Sequence, residues 1–121
     1  MRRLLLALFS LYAIAGFDPP GASAQSLGTM EDMRCILSLM RLSSVTKDEN
    51  AKRSINSIAF YFMGKINGRD PEADLYKLTK LMRPTLGEKD MSDAVVDCIA
   101  SFKKRTAEFD RIADALRELG Y

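Results

Sequence analysis

Met91, Val95, Cys98, Phe102, Arg105, Phe109, Ile112, Leu116 and Leu119 follow one another at alternating steps of four and three. That spacing keeps a single face of an α-helix continuous and is incompatible with a strand. It predicts a long helix that begins between Asp90 and Ser92 and runs to about Leu119, with Gly120 as its stop. Arg105 is the one polar member of the series. It either pairs with an acid from another helix or reaches past the seam to solvent. A seam of four heptads either stays inside the monomer or pairs two chains. No stretch shows the period-two alternation of a half-buried strand, so the expected class is all-α.

Three further helices complete a small four-helix bundle. The first starts near Thr29, with Asp32 completing a weak capping box. Met33, Ile36, Leu37 and Met40 give it an apolar face widened by Cys35, Leu39 and Leu42, and Ser43-Ser44-Val45 ends it. The second starts at a capping box, Thr46 to Glu49, with Thr46 as N-cap. Its stripe is Ala51, Ile55, Ile58, Phe62 and Ile66. Phe60 and Met63 add a second apolar face, and Ser54, Ser57, Tyr61, Gly64 and Gly68 a third strip of mostly small residues. This helix is therefore expected to be the central one, with a packing reason for Gly64 and a left-handed stop at Asn67-Gly68. The third is capped by Asp70 with Pro71 at its first position, and turns Leu75, Leu78, Leu81 and Met82 inward before Pro84 and Gly87 finish it.

Residues 1–24 read as an address rather than as part of the bundle. Arg2 and Arg3 precede an uncharged run from Leu4 to Phe17; Asp18-Pro19-Pro20-Gly21 breaks it, and Ala22-Ser23-Ala24 offers small residues for cleavage. This is the layout of a secretory signal peptide, too short for the roughly 20 apolar residues of a membrane span. The expected mature chain is one helical domain over 25–121, periplasmic or secreted, with no stable membrane anchor after cleavage. In an oxidising compartment the two cysteines, Cys35 and Cys98, are expected to form a structural disulfide. There is no Cys-x-x-Cys spacing to suggest redox catalysis.

Composition narrows function by exclusion. The 121 residues include no His, which removes Ser-His-Asp and Cys-His nucleophiles and His-ligated metal sites. A net charge of +2 gives no basis for nucleic-acid binding. The methionines read as gap fillers rather than copper ligands. Asp90, Asp93 and Asp97 near a helix start read as a response to its dipole rather than as a catalytic set. Lys103-Lys104-Arg105 reads as a solvated helix face. No EF-hand or phosphate-loop pattern occurs. No catalytic residue, cofactor or metal site is therefore expected. The most distinctive stretch is Gly64-Lys65-Ile66-Asn67-Gly68-Arg69-Asp70-Pro71, read first as a tight corner between helices. If the chain binds a protein, Tyr61, Lys65 and Arg69 are the expected contact residues.

The cysteine spacing and the phrase Phe60-Tyr61-Phe62-Met63-Gly64-Lys65-Ile66-Asn67-Gly68-Arg69-Asp70-Pro71 resemble small, uncharacterised, exported, all-helical two-cysteine proteins of Gram-negative bacteria. That resemblance implies a fold and a compartment. The layout is also similar in outline to the HdeA-type periplasmic acid chaperones, with no residue motif to carry over. The expected function is non-enzymatic: an exported helical protein that binds another protein in an envelope or stress setting. One form of this is a chaperone that opens in acid as its carboxylates lose charge. The alternative is a periplasmic carrier of a small ligand or metal.

Overall fold

A computed structural model describes residues 26–120; the expected leader, residues 1–24, lies outside them. Four helices follow in order: α1 (Leu27–Val45), α2 (Glu49–Arg69), α3 (Leu75–Met82) and α4 (Glu88–Glu118), with a 3-10 turn at Arg83–Thr85 between the last two. The described residues are all-α, as the periodicity predicts.

The centre of the molecule is α1, not α2. Met33, Ile36, Leu37 and Leu39 are buried on it, and so are Thr29, Asp32, Ser38 and Ser43. The helix is thus covered by α2, by α3 and by the first half of α4. Its short polar residues hid this in the sequence, because Ser and Thr leave no hydrophobic stripe, yet they let neighbouring backbones approach. By contrast α2 buries only Ala59, Phe62 and Ile66. Phe60, assigned to a second apolar face of a central helix, is exposed.

The helix boundaries move for local reasons. Ser26 caps α1, its Oγ accepting from the Thr29 amide at 3.2 Å, so the helix begins a turn before the expected start. Asp48 rather than Thr46 caps α2, accepting from the Ala51 amide at 2.6 Å. The Thr46 hydroxyl instead donates to the Leu42 carbonyl at 2.8 Å and closes α1. Asn67-Gly68 does not stop α2, which continues to Arg69; Gly120 has the only positive φ among the described residues. A Cβ at Gly64 would meet nothing within 4 Å, so the expected packing reason for that glycine is absent. Asp74, not Asp70, caps α3. Leu78 and Met82 are its buried face, while Leu81 points outward. Gly87 precedes α4 and donates its amide to Asp90 Oδ2 at 3.1 Å.

The 31 residues of α4 form one continuous helix. Only its first half joins the body, through Met91, Ala94 and Cys98. Cys98 is bonded to Cys35 of α1, with Cα atoms 5.7 Å apart, as the sequence predicts. Arg34 adds a hydrogen bond to the Asp90 carbonyl at 3.0 Å, and Arg41 an exposed ion pair to Glu88 at 3.4 Å.

One buried group opposes this packing. The Ser38 hydroxyl is enclosed and has no hydrogen-bond partner among the described residues. A buried unsatisfied hydroxyl costs about 1–3 kcal/mol, and Ala is the better helix former. Ser38→Ala is therefore expected to stabilise the fold by about 1 kcal/mol, read as a higher urea midpoint.

Candidate functional site

Asp32 lies on the buried side of α1 in step with Thr29 and Ile36, and only 4% of it is exposed. A carboxylate cannot be left there without compensation. Two cations from α2 supply it, one helical turn apart: Lys65 Nζ at 2.7 Å from Oδ1 and Arg69 Nη1 at 3.0 Å from Oδ2. Gly28 makes the second pair possible. A Cβ at position 28 would come within 2.9 Å of the Arg69 guanidinium carbon, so the missing side chain is the slot through which Arg69 reaches Asp32. Lys65 Nζ also stands 5.1 Å from the Phe62 ring centroid and 5.8 Å from that of Tyr61.

The structure thus gathers the expected contact residues on one side of α2. Tyr61 is half-buried, edge-on to Phe62 at 5.0 Å and to Phe102 of α4 at 5.3 Å. Lys65 and Arg69 remain 34% and 38% exposed while held on Asp32. They are not loop residues presented by a glycine-rich corner; they project from the last turns of a regular helix. Asp32 itself was missed as a site residue. Its signal was present, though: an acid at a buried helical position, and two cations at i and i+4 on the helix that follows.

Beside this cluster α1, α2 and α4 leave a cleft of about 280 Å3 that the disulfide helps to line. Its lining includes two cations, Lys65 and Arg34, two acids, Glu31 and Asp97, and the apolar Phe62, Cys35 and Cys98. Both signs of charge line the cleft, so it can meet a segment carrying both signs of charge. Farther along α4, Arg105 pairs with Glu108 at 3.0 Å rather than with an acid of another helix. Glu108, the Tyr61 hydroxyl adding a little, raises the Arg105 pKa above its ordinary value.

The remaining candidates serve the fold or stand in solvent. Met33, Met82 and Met91 are core residues, and Met40 is exposed. Asp90 closes the start of α4 and Asp93 pairs with Lys89, which leaves Asp97 as the acid of that trio on the cleft. Lys103, Lys104 and Arg105 are exposed. Among the described residues no group of three or more Cys, Asp or Glu is placed to hold a metal ion. No described helix is long and apolar enough to cross a membrane. No protein-family model, curated protein or solved structure matches the chain.

Proposed function

We propose that the chain is an exported, non-enzymatic protein, periplasmic or secreted, that binds another protein through the Tyr61–Lys65–Arg69 side of α2 and the adjoining cleft, in an envelope or stress-related role. The observation that carries this reading is the pair of cations, each about a third exposed, bonded to one buried carboxylate. Lys65 and Arg69 are both bonded to Asp32 while about a third of each side chain is open to solvent. A partner carboxylate arriving there meets groups already ordered, which lowers the entropy cost of binding. Tyr61 adds an amphipathic ring at the edge, the residue type favoured at protein interfaces. Export is supported by the disulfide, since such bonds persist in oxidising compartments. A non-enzymatic role is supported by the use of both thiols, and of Asp32, in structure. At about 280 Å3 the cleft is smaller than most small-molecule pockets, which favours a protein partner over a carried ligand.

The test must avoid Lys65 and Arg69, because their loss would read as instability. Glu31 and Asp97 are exposed and sit on the cleft wall. A photoreactive amino acid in place of Tyr61, expressed in the cell of origin, should give an adduct with a different envelope protein. Adding Asp97→Lys and Glu31→Lys should reduce that adduct by about tenfold or more while leaving the fold intact. If no protein adduct forms and a metal or small molecule co-purifies instead, the protein-binding reading is wrong and the carrier takes its place.

A further inference from the structure

Beyond the cleft, the second half of α4 presents an apolar stripe to solvent. Phe109 is 72% exposed, Ile112 56%, Leu116 46% and Leu119 73%. These residues continue the same four-three series that buries Met91 and Cys98 in the body. Phe102 rests edge-on against Tyr61, but from Phe109 onward these apolar residues stand in solvent, and a lone helix of this length is marginal in water. We propose that this half of α4 pairs with the same segment of a second copy, antiparallel, about a two-fold axis between Asp110 and Arg111. The proposal does not depend on the cleft or on the partner suggested for it.

Three features select a second copy in that orientation. The first is layering. A dyad between 110 and 111 sets Phe109 against Ile112, Arg105 against Leu116 and Phe102 against Leu119, so each first-position residue of the heptad meets a fourth-position one. This is a self-complementary surface, which an isologous dimer requires. Arg105 is the one layer residue that must leave the seam, and it is already turned aside to Glu108.

The second feature is charge. Lys103, Lys104 and Arg105 form a cationic block at one end, whereas residues 108–118 carry four acids against two arginines. Among the described residues Lys103, Lys104, Asp110 and Glu118 are in no ion pair within the chain; Glu108 and Asp114 pair only locally. Antiparallel pairing brings the cationic block of each copy to the level of the acid-rich end of the other, twice by symmetry. Parallel pairing would set the two cationic blocks against each other within a Debye length.

The third is area. The stretch Phe102–Leu119 is about 27 Å long at the helical rise, and two such helices side by side bury on the order of 1,000 Å2 in total. That is the smallest area at which specific interfaces form, so the dimer is expected in the micromolar range and not as an obligate assembly.

Sedimentation equilibrium on the mature, oxidised chain decides the matter. The expected result is a monomer–dimer equilibrium that weakens as salt is raised. Ile112→Asp should raise the dissociation constant at least about a hundredfold; the residue touches no core, so circular dichroism and the disulfide should be unchanged. Lys103→Glu/Lys104→Glu and Asp114→Lys/Glu118→Lys should each weaken self-association about tenfold, and the two proteins mixed should recover it. A wild-type chain that stays monomeric to about 1 mM overturns the proposal. So does a dimer that Ile112→Asp leaves intact, or one that salt strengthens.

Discussion

Replacing Cys35 and Cys98 together with Ser should lower the unfolding free energy by about 4 kcal/mol. The two positions lie 63 apart in sequence, and cross-linking them removes the entropy of a long loop from the unfolded chain. The effect is large against the 5–15 kcal/mol typical of a whole domain. It is also concentrated. Apart from the staple, α4 is held on the body by Met91, Ala94 and the half-buried Ile99, by Phe102 against Tyr61, by one hydrogen bond from Arg34 and by an exposed pair from Arg41 to Glu88. Exposed pairs of that kind contribute little. Urea titration followed by helical circular dichroism, with and without reductant, measures the difference. Midpoints that coincide would show that packing alone holds α4, and the chain-entropy account would fail here.

The second large effect is expected at Asp32. The double change Lys65→Met/Arg69→Met leaves a buried carboxylate without a counter-charge, and breaking a buried pair in this way costs about 3–5 kcal/mol. Lys65 and Arg69 are each about a third exposed, so water screens part of the interaction and a value near 3 kcal/mol is expected. The informative comparison is the triple variant with Asp32→Leu added. Removing the acid as well leaves no uncompensated charge, and an apolar replacement of similar volume often restores or exceeds the original stability. Recovery of most of the lost stability in the triple variant would assign the cost to Asp32. A triple variant as unstable as the double would assign it instead to the lost packing of the two long side chains against Phe62 and Gly28.

Much of the architecture was written in local pattern. Four helical segments, the extent of α4, the disulfide and the inward-facing Phe62, Ile66, Leu78 and Cys98 all follow from step lengths and from two cysteines. What failed was choice among near-equivalent neighbours. Thr46 and Asp48 are both good N-caps two residues apart, as are Asp70 and Asp74 four apart. Which one bonds the helix depends on where the chain leaves the previous element, and local composition does not carry that. Asn67-Gly68 looked like a stop, but Gly is tolerated inside a helix at a cost of about 1 kcal/mol when later packing favours continuation. Ile66 and the Arg69–Asp32 pair are that packing. The centrality of α1 was concealed by Ser38, Ser43 and Thr29, whose burial is a property of the assembled helices. The ion cluster joins residues 33 and 37 positions apart, beyond any local window. The seam showed its length in the sequence, but not that its second half emerges from the body.

The disulfide also draws a boundary through the molecule. Cys35 and Cys98 close a covalent ring that contains α2, α3 and the buried part of α4, with the far arm of α4 hanging outside it as a tail. A protease that cuts a turn inside the ring leaves one connected molecule, whereas a cut after Cys98 releases the arm alone. Self-recognition and fold integrity therefore belong to separately removable pieces of the chain, and trimming or sequence drift in the arm can change how copies meet without reaching the ring.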